Sequence, residues 1–449
     1  MARRIAARLS PHPRTTLRED YLDLTAPDPI VPRLTILPNG LHVVSVELPH
    51  FHYCELVFYL RMGSRFETPE NNGISHFLEH MLFRGNKRYP DYQLATELIE
   101  DLGGSINAYT SKLFTSVNLH VLPRFQAQGL GMLSSYLIEP LFRGIRTERK
   151  IVLEELLEDR SADGEDIQPE NLTRQLAFPV GNPVGLPIIG TPSTIKTFKK
   201  QDLSAFHERH VRTGNMVLCS VGAVDHDLLV EEAFRQLGHF PSSSPVSLPP
   251  VPTTLPGPRF CFVENAASKN DVLLSFFGPP ELDEGFLALM LVKRHLDSNR
   301  TRSLYNHICI ELGLAYDIQV NLDPQYDHTC FDISFSASAD NVPRIITEVL
   351  NIIRELREQG LDEDELDRAR TRLGFDLEYS LDSPSYLSEW FGGTQLYTRP
   401  HGYNERLTNL ARLTRAKLEQ VMAQVFRSEN CYCAVVGKIV TCSEEMFRL

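Results

Sequence analysis

The chain has 449 residues, 42% hydrophobic and 23% charged, which is too long for one compact core and too ordinary in composition for a disordered, collagenous or coiled-coil protein. Lys and Arg total 45 against 58 Asp and Glu, and the resulting net charge of −13 argues against nucleic acid or an anionic membrane surface as the main partner. The eight cysteines are scattered, without a Cys-x-x-Cys pair, and read as buried thiols in a reducing compartment: the cytoplasm, or the mitochondrial matrix in a eukaryote.

In chain order, the first segment carries five arginines before its first acid at Glu19 and lacks the apolar stretch of a secretory signal. It reads as a basic extension over residues 1–32, with a mitochondrial presequence as the alternative. Asn39-Gly40 supplies a turn, and LHVVSVEL and CELVFYLRM then have the alternating or continuous apolar character of strands. A helix is predicted from about Ile74, reading ISHFLEHMLF, and a second over residues 148–160, reading ERKIVLEELLEDR. Residues 202–225 read as a helix feeding a buried strand. The stretch 240–258 holds seven prolines and four serines, too few backbone donors for a helix or a central strand, and is read as a semi-rigid linker. Beyond it, RFCFVEN and DVLLSFFGP read as strands before the helical FLALMLVKRHL. Residues 417–440 repeat 202–225 at a constant offset of 215, matching Leu203 to Leu418, Asn215 to Asn430 and Gly222 to Gly437. The expected fold is therefore α+β: two duplicated α/β-sandwich domains, mainly antiparallel sheet packed with helices, over residues 33–239 and 259–449. No apolar run of about 18 residues is present, so no transmembrane helix is expected.

The chemistry concentrates in the helix from Ile74. His76 and His80 are i and i+4, on one face one turn apart, so their imidazoles can converge on one cation. Neutral imidazoles leave the charge of a zinc ion largely uncompensated, so it still polarises a water, and Glu79 beside the second histidine is placed to act as general base. His-x-x-Glu-His is the inverted zincin pattern; its bland alternative is a pair of surface or satisfied core histidines. A third ligand could come from the acidic helix 148–160, where Glu148, Glu154, Glu155, Glu158 and Asp159 are candidates and Glu148 and Glu155 share a face two turns apart. By its residues alone, Asn107 reads equally as a turn-stabilising asparagine and Tyr316 as a core residue of an apolar strand.

With HFLEHMLFRG, LPNGLHVV, GGSINAYTS, the acidic helix, PIIGTPSTIKTF, NMVL and GLAYDI, the chain resembles the M16 family of zinc metallopeptidases (pitrilysin, insulin-degrading enzyme, mitochondrial processing peptidase) over roughly residues 33–440. The resemblance implies one Zn²⁺ per chain, held by His76, His80 and Glu155, with Glu79 catalytic and Glu148 supporting the catalytic set. It also implies an edge strand near Ala108–Thr110 that pairs with an extended peptide substrate, with Asn107, Ala108 and Tyr316 as substrate-binding residues. Two domains would form half of a clamshell. In the segment ICIELGLAY, Cys309 stands where the family pattern has an arginine. The resemblance then implies the zinc-bearing subunit of a heterodimer whose M16-like partner supplies the Arg/Tyr pair, with a homodimer as the alternative. The competing functional class is a noncatalytic scaffold or core subunit of the same fold.

Overall fold

The computed structural model describes residues 27–250, 253–298 and 303–449; of the basic extension, residues 1–26 lie outside the described residues. The first half runs β1 (Arg33–Ile36), β2 (His42–Glu47), β3 (Cys54–Leu60), α1 (Ile74–Leu82), α2 (Tyr92–Asp101), β4 (Ser105–Thr110), β5 (Thr115–Val121) and α3 (Gln126–Ile138). It continues with α4 (Ile145–Glu158), α5 (Pro169–Ala177), α6 (Pro192–Ile195), α7 (Lys200–His210), β6 (Met216–Gly222) and α8 (His226–Leu237). The second half runs β7 (Arg259–Glu264), β8 (Asn270–Gly278), α9 (Glu284–Leu296), β9 (Ile318–Pro324), β10 (Thr329–Ala337) and α10 (Val342–Gln359). It closes with α11 (Glu363–Tyr379), α12 (Pro384–Ser388), α13 (Tyr403–Arg412), α14 (Arg415–Val425) and β11 (Tyr432–Gly437).

The strands form two sheets, ordered β1-β2-β6-β3-β5-β4 and β7-β11-β8-β10-β9. Strands β2 with β6 and β7 with β11 are parallel; every other pair is antiparallel. The two orders superimpose strand for strand apart from β1, so β4 and β9 are equivalent edges and the α+β duplication is present in three dimensions. The offset of 215 relates α7 to α14, the Thr213–Asn215 turn to the Ser428–Asn430 turn, and Pro169 to Pro384 at the starts of α5 and α12.

Burial explains why the halves hold together. Strand β3 is buried along its whole length. On one face Leu56, Phe58 and Leu60 pack with α1, α3 and α7; on the other, Val57 and Tyr59 join a core that includes Leu387, Trp390 and Phe391 of the second half. That contact is close enough to demand glycine, because a Cβ on Gly392 would lie 2.5 Å from the Cβ of Cys219. The exchange is reciprocal, since α5 of the first half lies on the second sheet. There Arg174 is buried, donating to Asp332 at 2.6 and 3.2 Å and to the Ser275 hydroxyl at 2.9 Å. A second brace joins the buried Arg65 to both carboxylate oxygens of Asp327 at 2.7 and 2.8 Å. The proline-rich stretch has no helix or strand among its described residues. It is tied down nonetheless: Val246 N donates to Asn215 Oδ1 at 2.6 Å, Arg65 to Pro249 O at 2.8 Å and Leu255 N to Ala177 O at 2.7 Å.

Candidate active site

Helix α1 begins at Gly73, held at φ 92° in the left-handed region that glycine tolerates best, with no room for a Cβ because the backbone of Ile189 and Gly190 lies 2.6–2.7 Å away. Its orphan amides are satisfied by the buried Glu67, which accepts from Gly73 N at 2.7 Å and Ser75 N at 2.8 Å, an anion at the positive end of the helix. Burial pushes the Glu67 carboxyl up, and these hydrogen bonds oppose it. Phe77, Leu78, Met81 and Leu82 bury one side of α1. His76, Glu79 and His80 are thereby turned toward α4 and β4.

The donor atoms of His76, His80 and Glu155 lie within 4.8 Å of one another, and among the described residues this is the one such group of three potential metal ligands. Each Nε2 is 3.5 Å from a Glu155 oxygen. Tetrahedral zinc with bonds of about 2.0–2.1 Å separates its ligands by roughly 3.4 Å, close to the distances that the two imidazoles keep to the two Glu155 oxygens, so the donor types and their spacing suit that ion. His80 Nδ1 is 2.9 Å from Glu148 Oε1, whose other oxygen pairs with Arg84. With Nδ1 as donor, Nε2 presents its lone pair to the metal position. Burial would lower the His80 pKa, but the bond to Glu148 and the nearby charges of Glu79 and Glu155 raise it; burial would raise that of Glu148, but His80 and Arg84 hold it low. Glu155 is likewise held low, chiefly by its bond to His76. His76 Nδ1 is buried with no hydrogen-bond partner among the described residues, so packing and the contact of Nε2 with Glu155 orient that ring.

Glu79 Oε2 accepts a 2.6 Å hydrogen bond from Thr110 Oγ1 at the end of β4. Sequence reading missed both Thr110 and Glu67: Thr110 reaches Glu79 across 31 residues, and Glu67 lies six and eight residues before the amides it accepts from, outside the motif that marks the helix. Strand β4 is an edge, paired only to β5 within its sheet, and it carries Asn107 and Ala108. Asn107 is therefore a strand residue and not a turn residue; its Oδ1 accepts from the Ala108 amide at 2.9 Å. A recess of about 490 Å³ lies between α1 and β4, with Phe83, Tyr92 and Ile106 as its apolar wall and Glu79 and His80 as its polar one. Of the acids in the second helix, Glu155 and Glu148 face this site, and Glu154 does not join the metal set. Tyr316 does not line the recess. It stands 87% exposed on a bend before β9, which overturns its reading as a core strand residue, and Cys309 lies on the preceding π-helical turn.

The model described as "Insulinase (Peptidase family M16)" matches residues 42–191, and that described as "Peptidase M16 inactive domain" matches residues 197–373. The chain belongs to peptidase family M16. Relatives of this M16 chain include an uncharacterized zinc protease of Rickettsia bellii, 28% identical over 411 residues, covering 89% of this chain and 96% of that one. A probable mitochondrial-processing peptidase subunit beta of Arabidopsis thaliana is 28% identical over 396 residues, covering 85% of this chain and 73% of that one. The fold is shared with the crystal structure of a protease from Helicobacter pylori, at a TM-score of 0.81 and 19% identity, covering 91% of this chain and 99% of that chain. The two M16 halves differ at this site. Helix α9 occupies the place of α1, and at an offset of 210 it carries Phe286, Leu289 and Met290 where α1 carries His76, Glu79 and His80.

Proposed function

We propose that this chain is a zinc-dependent endopeptidase acting on extended peptides. The observation that carries the reading is the convergence of His76, His80 and Glu155 beside Glu79, at the foot of an unpaired sheet edge. When bound in this set, zinc supplies the Lewis acidity that brings the pKa of a water to about 7. Glu79 takes that water's proton and delivers it to the departing amine, and the Thr110 hydroxyl fixes the carboxylate for both transfers. Glu148 fixes the His80 tautomer. The free side of β4 offers backbone groups to an extended peptide, which gives affinity with little sequence demand, while Asn107 and Ala108 flank the scissile bond and the Phe83 recess receives an apolar side chain.

The working unit in this proposal is a pair of two-domain chains, with domains at 33–239 and 259–449 joined by 240–258. Cys309 in place of an arginine and the exposure of Tyr316 favour a heterodimer in which an M16-like partner supplies the Arg/Tyr pair, and two of the similar proteins are named as beta subunits. Among the described residues no helix is long and apolar enough to cross a membrane, and the eight free cysteines fit a reducing compartment, the cytoplasm or a mitochondrial matrix. A scaffold subunit would have no use for an intact ligand set. The test is hydrolysis of a quenched fluorescent peptide library by the full chain, alone and with an M16-like partner, with Glu79→Gln and a chelator as controls. Chelator-sensitive cleavage that Glu79→Gln abolishes is expected. A zinc-loaded, folded chain that stays silent in both settings would return the scaffold reading.

A further inference from the structure

The second half contains a cavity that peptide hydrolysis at α1 leaves unused. It measures about 490 Å³ and lies between α9, α11, β9 and the segment after α12, with Leu113 and Phe114 of the first half closing one side. By sheet order and element order α9 corresponds to α1, α11 to α4 and β9 to β4, so the cavity is the counterpart of the first-half cleft. The correspondence reaches individual residues. At the offset of 210, His80, Phe83 and Arg84 in the first cleft match Met290, Lys293 and Arg294 in the second. Arg84 pairs with Glu148 of α4, and Arg294 pairs with Asp376 of α11 at 2.7 Å.

The wall is aromatic, formed by Phe286, Tyr326, Trp390 and Tyr397. Most charges on it are neutralised in place: Arg406 stacks 3.8 Å from the Trp390 ring centre and pairs with Glu281 at 3.0 Å, and Lys293 pairs with Asp297 at 2.5 Å. Glu389 is the exception. Among the described residues its carboxylate has neither an ion pair nor a hydrogen bond, and it opens a π-helical turn, Glu389–Gly393, a distortion that recurs at functional sites. Glu389 keeps contact with solvent at the cavity wall; desolvation by that wall, reinforced by Glu281 and Asp323, pushes its carboxyl pKa up. An unpaired carboxylate in an aromatic pocket is complementary to a cation with an apolar body.

We infer that this cavity is a second ligand site, taking an ammonium or guanidinium group on an apolar stem, with the stem against Phe286 and Trp390 and the cation on Glu389. The same chemistry has two sources: the Lys or Arg side chain of a peptide lying along β4, or a free organic amine. Leu113 and Phe114, in the turn between β4 and β5, close one side of the cavity, which places it beside the end of that edge strand.

Trp390 is the single tryptophan of the chain and lines the cavity, so intrinsic fluorescence reports its occupancy. The full chain is titrated with 4-phenylbutylamine and with its neutral counterpart 4-phenylbutanol. The amine is expected to bind at least about tenfold more tightly, the worth of one charge-assisted contact. Glu389→Gln should erase that preference while the alcohol's affinity stays unchanged, and Phe286→Ala should weaken both probes alike. Equal affinities in the wild-type chain, which need no variant to fold, overturn the inference, as does an amine preference that survives Glu389→Gln. Competition in a Glu79→Gln background, where peptide stays intact, identifies the source. Displacement of the amine by an arginine peptide and not by its citrulline counterpart assigns the site to a peptide side chain. Displacement by neither assigns it to free amines, and equal displacement by both overturns the reading of charge.

Discussion

The clefts on α1 and α9 are built on one frame and furnished differently. Each sits between a helix that follows the central strand of its sheet and an edge strand, and each has an arginine, Arg84 or Arg294, tied to an acid on the neighbouring helix. In the first, two imidazoles and the Glu155 carboxylate converge, and Glu148 holds the far nitrogen of His80. In the second, Phe286 and Met290 replace the imidazoles, and Leu289, fully buried, replaces Glu79. The difference teaches that this fold supplies a position and a rigid backing, while a handful of side chains decides whether the position gathers metal-binding groups or an apolar wall.

The largest effect expected from breaking this contrast is at Glu79. Glu79→Gln keeps the hydrogen bond to Thr110 and should lower kcat on the order of 10²–10⁴-fold while zinc content stays at the wild-type level. Next comes the bracing that both clefts share. Arg174→Met leaves Asp332 buried beside Ser275 without its cation, and urea unfolding should show a loss of about 3–5 kcal/mol; an unchanged midpoint would mean that the halves do not depend on this pair. A smaller effect separates the clefts directly: Glu148→Gln should weaken zinc affinity about 10–100-fold in a chelator competition, whereas Asp376→Asn, its counterpart in the second cleft, should leave it unchanged.

The mildest test is acid. Burial would raise the Asp327 carboxyl, but His328 and Arg65 hold it far below the ordinary carboxylate range. The unfolded chain therefore takes up this proton first as pH falls below about 4, and the stability from this brace, fully present above that value, is lost progressively toward the native pKa. Wild type should lose stability more steeply than Asp327→Asn over that window, in melts followed by circular dichroism.

The parts legible in the sequence are those encoded locally. His76 and His80 are one turn apart on a helix whose apolar positions announce it, the prolines of 240–258 cannot hide, and the repeat keeps its offset across β6 and β11. The choice of Glu155 over Glu154 needed the family resemblance, because a solvated acidic helix carries no mark of which acid faces a metal. What stayed illegible depends mostly on contacts distant in sequence, Thr110 against Glu79 and the exchange of α5 and α12 between sheets, while Glu67 sits near α1 but outside the motif that marks it. Tyr316 misled for a local reason, since GLAYDI has a strand's composition but the strand begins only at Ile318.

The most direct test of the central claim is zinc per chain, measured by elemental analysis on the full protein after dialysis, for wild type, Glu79→Gln and His80→Ala. The account predicts one equivalent in the first two and none in a folded His80→Ala. Zinc retained at the wild-type level by His80→Ala, or absent from zinc-saturated wild type, would contradict it.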